Sequence, residues 1–369
     1  MIDQQGIRQI LERMRFSLQK MQLVNGAFQD PRTKICDPRP NAECARALLV
    51  INDIETAKKA LDWVVREQQA NGSWKEITET ETVEENTLST AVIARVLMDA
   101  YQVTKKNSYI EAAKKACKYI KEQEFEPGRY VKSDNHYADL LNMSAAAAAV
   151  FQKMEELSKN SEVTAIKNRA LLHIARHQFK NGAFPYATLE RAFPYEEHMN
   201  VRDLYYHSLT LFYLLLANPK DSYRHATFAQ KRAFKWLAGK IRKRTPWRKS
   251  KVIFTVGSTG FYAYGAYSLA RAGKNQEANL CIKKLEKLQK EDGLFSRYEK
   301  PFWPDAFWGY LKEIVEYEKI CPTRYSLAHR MMRLRRRLAH DLKARRRKKT
   351  SLFYSAQIYN ALSELLVKQ

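Results

Sequence analysis

A short phrase recurs along this chain: a glycine that closes an apolar-periodic segment and is soon followed by an aromatic residue. The clear members are QLVNGAF, QQANGSW, EFEPGRY, QFKNGAF and QKEDGLF, and WLAGKIRKRTPW is a weaker form. Successive glycines lie 46 to 57 residues apart. A period of this size indicates a repeat architecture. The glycines are Gly26, Gly72, Gly128, Gly182, Gly239 and Gly293.

The glycine of each phrase is explained by the way helices end. The residue just after a helix commonly adopts a left-handed conformation, and glycine does so at little cost. The aromatic residue two positions later can fold back onto the last helical turn. We therefore predict that each of the six phrases ends one helix, including the weaker form at Gly239.

Two classes of helix alternate between these stops. Segments that end at a phrase, such as YIEAAKKACKYIKEQ, carry a charged face and are predicted to lie outside. Segments that follow a phrase, such as NMSAAAAAVFQKM, are small or apolar nearly all round, which is typical of buried helices. The outer helices are predicted to begin near Gly6, Thr56, Ser108, Val163, Ser222 and Asn275, the inner helices near Asn41, Glu84, Ala138, Asn200, Ser258 and Asp305, and a last pair to span 326–345 and 351–367.

This alternation predicts an all-α fold, an α/α toroid of six or seven helical hairpins formed as a single domain over residues 1–369. An open solenoid of helix pairs is the competing architecture. Closure into a ring is favoured because it buries every inner helix. The chain has only 12 glycines and 11 prolines in 369 residues, which argues against a turn-rich β architecture.

The stretch WVVREQQANGSW resembles the helix-end repeat of the α/α-toroid superfamily, which includes squalene and terpene cyclases, protein prenyltransferase β-subunits and several sugar-active groups. The DxDD signature of the cyclases, the zinc ligands of the prenyltransferases and the NNHxYW signature of toroid alginate lyases have no match here. In size and in lacking these signatures, the chain is similar to toroid proteins encoded with bacterial exopolysaccharide enzymes. This resemblance implies the fold and a role in cell-surface polysaccharide production.

Chemistry is expected at one end of such a ring. Every inner helix starts at that end, so the first turns and their positive dipole ends converge there. Acids, amides and aromatic residues in those turns suit a sugar, although ordinary helix caps explain single Asn, Asp, Ser or Glu residues equally well. The predicted substrate-binding residues are Glu85, Asn86, Asp139, Asn142, Arg202, Tyr262, Trp303 and Trp308.

The fourth unit carries more charged, histidine and tyrosine residues than helix caps require. YEEHMNVRDLYYH holds two His, three acids, one Arg and three Tyr in 13 residues. The predicted catalytic residues are Asp203, Tyr206, His207 and Asp305. A lyase or epimerase would use His207 or Tyr206 as base and acid, with Arg202 and Asn86 on the sugar carboxylate.

A glycoside hydrolase would instead pair Asp203 with Asp305 or Glu85. The sequence leaves open whether the protein is an enzyme at all. A membrane-docked scaffold or glycan-binding protein, and a terpenoid cyclase or prenyltransferase-like enzyme, remain alternatives. No cofactor and no metal site is predicted, and the five scattered cysteines indicate free thiols.

The charge indicates an anionic partner. The net charge is +24, of which Arg330–Lys349 supplies +10. An anionic carbohydrate is the predicted ligand, and the basic helix predicted at 326–349 also suits anionic lipid headgroups. No nucleic-acid module is recognised, so nucleic acid is not favoured. Without a membrane span or signal peptide, we expect a cytoplasmic protein that can attach to the inner face of the membrane.

Overall fold

The computed structural model describes residues 1–77, 83–133, 138–188, 204–242, 259–296 and 350–367. Within these ranges the helices are α1 Gln4–Met21, α2 Pro38–Val50, α3 Ile54–Arg66, α4 Thr87–Thr104, α5 Asn107–Glu122, α6 Leu141–Ser158, α7 Ser161–Arg176, α8 Leu204–Ala217, α9 Arg224–Arg242, α10 Gly260–Arg271, α11 Asn275–Leu288 and α12 Leu352–Val367. Three antiparallel pairs of short strands accompany them: β1 Lys75–Ile77 with β2 Val83–Glu85, β3 Glu124–Glu126 with β4 Arg129–Tyr130, and β5 Phe295–Ser296 with β6 Thr350–Ser351.

The even-numbered helices form a closed inner ring. Each of α2, α4, α6, α8 and α10 packs against the next even-numbered helix, and α12 packs against both α10 and α2. Six hairpins of one outer and one inner helix therefore complete the ring among the described residues. This confirms the all-α toroid, rather than an open solenoid, and gives six hairpins.

The sixth inner helix is α12, so the predicted inner helix near Asp305 is not one of the six that close the ring. Residues 297–349 lie outside the described ranges. Phe295 pairs with Ser351 and Ser296 with Thr350, so the described residues on either side of this segment lie next to each other in the sixth unit. The prediction of one domain over the whole chain stays a prediction.

Burial follows the two classes of helix read from the sequence. The inner helix α6 is buried over its whole first half, including the run Ala145–Ala149. The outer helix α3 buries only one stripe, with Ala57, Leu61 and Val64 inward. An outer helix can therefore keep its charged face in water, whereas an inner helix has neighbours on every side.

The recurring glycine ties five of the six described outer helices to the next one around the ring. At Gly72 φ is +92°, and an added Cβ would lie 2.5 Å from the carbonyl oxygen of Lys115 on α5. Gly293 has φ +71° and meets the carbonyl of Arg13 on α1 in the same way, which closes the circle. Any side chain would meet both a disfavoured φ and a backbone clash. The same contact recurs at Gly26, Gly128 and Gly182.

The weaker phrase does not follow this rule. Gly239 lies inside α9, which continues to Arg242, and an added Cβ would meet nothing within 4 Å. The predicted helix stop at Gly239 is therefore wrong. Its glycine lacks both the sharp turn and the close backbone approach that define the other five.

A glutamine reinforces four of these five ties, and at the fifth Glu124 Oε1 accepts the N–H of Gly128 at 2.7 Å. Gln68 Nε2 donates to the carbonyls of Gly72 and Ala112, both at 2.9 Å, and so joins the loop to α5. Gln22, Gln178 and Gln289 repeat this bond four residues before their glycines. Trp74 folds back as predicted, and its Nε1 donates to the carbonyl of Val64 at 2.7 Å. No helix in the described part of the chain is both long and apolar enough to cross a membrane.

Candidate functional site

We call the end of the ring at which the inner helices begin the mouth. Polar side chains gather in the interior of the ring near this end, and we call them the mouth cluster. Each is buried or half-buried. Its members are Asp37, Arg39, Glu43, Glu76, Tyr205, Tyr213, Tyr264 and Gln357.

Arg39 lies at the centre of the mouth cluster. It stands in the first turn of α2 and only 3% of it is exposed. Its Nε is 3.6 Å from Glu43 Oε2, which is too long for a hydrogen bond. Among the described residues, Arg39 Nε and Nη2 and Glu43 Oε2 have no hydrogen-bond partner. A buried guanidinium in this condition is rare and calls for a ligand, an ion or ordered water.

The electrostatic surroundings keep Arg39 charged. Burial by itself would lower its pKa, but the Glu43 carboxylate and the nearby phenols hold the pKa well above the usual value. Burial raises the pKa of Glu43, against the opposing effect of Arg39. The pair therefore consists of a permanent cation and a carboxylate that burial pushes towards its neutral form, which leaves positive charge available to a ligand.

Aromatic rings surround this charge. The Arg39 guanidinium carbon lies 5.6 Å from the centroid of the Phe353 ring. The rings of Tyr205 and Tyr264 meet edge to face at 5.9 Å between centroids. The hydroxyl of Tyr205 donates to Gln357 Oε1. Phenol hydroxyls, ring faces and an amide thus border one cation.

Two carboxyl groups lie at the rim of the mouth cluster. Asp37 caps α2, and its two oxygens accept the backbone N–H groups of Arg39 at 3.0 Å and Ile77 at 3.3 Å. Burial, and then the nearby charge of Glu76, raise the pKa of Asp37 from 3.8 to about 7. Glu76 accepts a hydrogen bond of 2.5 Å from Asn86 Nδ2. Asp37 can therefore carry a proton near neutral pH.

A second group of charges lies deeper in the ring, and we call it the far cluster: Arg46, Arg95, Asp99, Lys153, Ser363 and Glu364. Arg46 reaches Asp99 at 2.8 Å and Glu364 at 2.9 Å. Arg95 also pairs with Glu364, and Lys153 lies 2.7 Å from Asp99. These contacts link α2, α4, α6 and α12. The charges of the far cluster are bonded to one another, unlike that of Arg39.

His207, a predicted catalytic residue, lies in the core instead of the mouth cluster. It is fully buried, and its Nδ1 accepts the backbone N–H of Phe184 at 3.0 Å. Asn41, Thr90 and Ser355 accept the matching N–H of the aromatic residue in their own units. Burial lowers the pKa of His207 to about 3. This position is repeated around the ring and serves the tie between loop and inner helix.

Three predicted binding residues lie near the starts of helices, and most of their polar atoms already form hydrogen bonds within the protein. Asp139 is held by His173 at 3.0 Å and Thr188 at 2.9 Å. Although burial opposes the change, these partners and Arg129 lower its pKa. Asn86 caps α4 through Ser89 N and also touches Glu76. Glu85 accepts from Asn71 at 2.8 Å. Of these, Asn86 alone is bonded to a member of the mouth cluster.

The other described candidates are aromatic or amide. Tyr206 is half-buried, and its ring lies 5.1 Å from that of Tyr205, which joins it to the edge of the mouth cluster. Asn142 is buried, and its Oδ1 has no hydrogen-bond partner among the described residues. Tyr262 is buried beside Phe261. Arg202, Asp203, Trp303, Asp305, Trp308 and Arg330–Lys349 lie outside the described residues.

Sequence reasoning missed the centre of the site. Neither Arg39 nor Asp37 is among the predicted site residues. One signal could have identified this centre: a charged pair in a helix that is otherwise predicted to be buried. Arg39 and Glu43 stand four residues apart on α2, and each is buried. In the described part of the chain, no three His, Cys, Asp or Glu side chains are grouped so that they could hold a metal ion.

Comparison with known proteins relies on structure, because no family model and no curated protein matches this sequence. A GH76 α-1,6-mannanase from Salegentibacter sp. HEL1_6 has a TM-score of 0.64 and 11% identity, over 97% of this chain and 99% of that one. An α-amylase from Clostridium perfringens has a TM-score of 0.61 and 13% identity, over 84% of this chain and 97% of that one.

A type II terpene cyclase from Scytonema has a TM-score of 0.57 and 13% identity, over 98% of both chains. At these identities the likeness concerns the fold alone. The neighbours include enzymes that act on glycans and enzymes that act on terpenoids, so their shared feature is architecture. Together with the closed ring of inner helices, these similarities assign the chain the α/α-toroid fold.

Proposed function

We propose that this protein is a carbohydrate-active enzyme that binds an anionic glycan or sugar intermediate in the mouth half of its ring, in the service of cell-surface polysaccharide production. One observation carries the proposal. Arg39 is buried in the ring interior with two of its nitrogens unbonded among the described residues. A carboxylate or phosphate of the ligand would supply the missing acceptors. Charge-assisted hydrogen bonds of this kind are stronger than hydrogen bonds between neutral groups.

The neighbours of Arg39 support a sugar as the bearer of that anion. Tyr205, Tyr264 and Gln357 offer hydroxyl and amide groups that match sugar hydroxyls. Among the structural neighbours, a variant of the Salegentibacter mannanase holds α-1,6-mannotriose. The net charge of +24 would draw an acidic ligand to the protein from a distance.

The carboxyl pair at the rim supports hydrolysis of a glycosidic bond as the reaction. Asp37, neutral below about pH 7, would donate its proton to the leaving oxygen. Glu76 would act as the base that activates water or as the nucleophile. Lysis and C5-epimerisation remain the other reactions for a uronic-acid ligand, with Tyr206 as the acid–base group and Asn86 near the carboxylate. Arg202, Asp203, Trp303, Asp305 and Trp308 remain part of the proposed site.

Direct binding tests the proposal. The full chain would be titrated calorimetrically with galacturonate tetramer and with neutral mannotetraose. We expect the acidic ligand to bind and to lose at least about ten-fold in affinity in Arg39→Met, which keeps volume but removes charge. Arg8→Met, an exposed change on α1, is the matched control. Equal binding by wild type and Arg39→Met would reject Arg39 as the anion site.

A terpenoid-cyclase activity is the second candidate, because the ring interior is also rich in packed aromatic rings. Phe212 lies 5.1 Å from Tyr264 and 5.0 Å from Tyr267 between ring centroids, and a protonated Asp37 could donate a proton to an alkene. This candidate predicts binding of an uncharged prenyl compound that Arg39→Met leaves unchanged. The same calorimetric series with geranylgeraniol separates the two.

A further inference from the structure

A groove runs along the outer wall of the ring, and the residues that line it stand on α7 and α9 and in the loops beside them. It lies where the end of α7 meets α9 and has a volume of about 810 Å³. Nearly half of the side chains that border it are basic or aromatic. The six that matter here are Arg176, Arg224, His225, Phe228, Lys231 and Arg232.

Three cations of this groove have no ion-pair partner in the described part of the chain. Arg176, Arg224 and Lys231 are exposed, and none of the three forms an ion pair with another described residue. Arg232 Nη2 donates a hydrogen bond to the carbonyl of Phe179 at 2.6 Å, and this bond holds the guanidinium charge at the groove wall. Asp221 is the one acid among the described lining residues.

An exposed aromatic ring, that of Phe228, lies among these basic side chains. Phe228 is 63% exposed, and the guanidinium carbon of Arg232 lies 5.8 Å from its centroid. A large apolar ring left in water on a charged helix costs hydrophobic free energy that a ligand face can recover. A pyranose ring presents such a face, and its carboxylates would meet the surrounding cations.

We propose that this groove is a second binding site, for a short stretch of an acidic polysaccharide, outside the ring. A membrane surface fits less well, because it requires a row of exposed apolar side chains, and Phe228 is the one exposed apolar side chain among the described lining residues. The site takes the same class of ligand as the proposed function, but it does not depend on the ring interior. It would hold an acidic polymer on the protein while one end is handled at the mouth.

The test uses the full chain and three exposed cations changed together, Arg176→Gln, Arg224→Gln and Lys231→Gln. A matched control changes Lys283, Lys287 and Lys290 to Gln on α11 and its following loop, with the same loss of charge. Binding of polygalacturonate and of neutral dextran of equal length would be measured at two salt concentrations. Phosphatidylglycerol vesicles and a DNA duplex would be run beside them.

We expect polygalacturonate to bind, dextran not to bind, and the groove variant to lose about ten-fold in affinity, which corresponds to 1.4 kcal/mol. The α11 variant should stay within about two-fold, and Phe228→Ala should lose a few-fold without any change in charge. The groove change should also lose about ten-fold when it is made in an Arg39→Met background, which separates failure here from failure of the ring site. Equal loss in both charge variants, or tighter binding to vesicles or duplex through the same residues, would overturn the proposal.

Discussion

The two charge clusters inside the ring are built from the same residue types but are used differently. In the far cluster, Arg46 meets Asp99 and Glu364 within 2.9 Å and also donates to Ser363. In the mouth cluster, Arg39 has one carboxylate, 3.6 Å away, and unbonded nitrogens. Both guanidinium groups stand on α2, less than two turns apart along the same buried face of the ring.

This difference separates charges that stabilise the fold, in the far cluster, from charges that could bind a ligand, in the mouth cluster. Burying a charge is costly unless it is paired and hydrogen-bonded. The far cluster meets this condition and joins four inner helices. The mouth cluster does not meet it among the described residues, so part of its desolvation cost would be recovered by the anion that we propose as its ligand. Asn360 lies between the two, since its Nδ2 reaches Glu43 at 3.5 Å and its carbonyl faces Arg46.

The largest effect is expected from Arg46→Met. This change leaves Asp99 and Glu364 short of a partner inside the ring, and breaking a buried pair in this way costs about 3–5 kcal/mol. The free energy of unfolding in denaturant would measure it. Ser363→Ala, which removes one bond and no charge, is the milder reference. A loss below about 1 kcal/mol in Arg46→Met would show that the far cluster does not hold the ring together.

Asp37→Asn is expected to reveal a cost of ionisation at the mouth. The folded pKa of Asp37, about 7, lies above its ordinary value of 3.8. Its contribution to stability is therefore fully present below pH 3.8 and is lost as the pH rises through about 7. The variant should match wild type near pH 4 and be more stable at pH 8, by up to about 4 kcal/mol. Thermal unfolding at both pH values measures this, and parallel curves would contradict it.

Asp99→Asn is expected to show the opposite pH dependence. Burial opposes ionisation of Asp99, but Arg95, Arg46 and Lys153 together lower its pKa below the ordinary value. Its contribution is therefore present above that ordinary value and is lost as the pH falls. At pH 7 the variant should lose about 2–3 kcal/mol, as for a bond to a charged group. The difference should shrink near pH 3, and a constant difference down to that pH would refute the assignment.

Much of the architecture could be predicted from the sequence, because helix stops and apolar faces are local signals. Gly26, Gly72, Gly128, Gly182 and Gly293 behave as predicted. The helix stop predicted at Gly239 is wrong, because a glycine alone does not end a helix. Its phrase has Lys235 four residues earlier, where the other five phrases have Gln22, Gln68, Glu124, Gln178 and Gln289, each bonded to its glycine.

The site was harder to predict, because its chemistry depends on distances that no local pattern encodes. The fourth unit attracted attention by composition, yet His207 is used to accept the Phe184 N–H. Arg39 and Arg46 are both arginines on one buried helix, and the sequence does not tell which has partners. Only the positions of Glu43, Asp99 and Glu364 on other turns and other helices decide that question.

The smallest effect on stability is expected from Arg39→Met, the counterpart of Arg46→Met. Removing a buried cation that lacks full hydrogen bonding recovers its desolvation cost, and apolar replacements of poorly compensated charges are often neutral or stabilising. Glu43 is left behind, but burial already raises its pKa towards the neutral form. We expect a change within about 1 kcal/mol near pH 6. Arg39→Met/Glu43→Gln should be at least as stable as wild type. A loss in that double variant as large as that of Arg46→Met would mean that both clusters serve stability, and the contrast between them would fail.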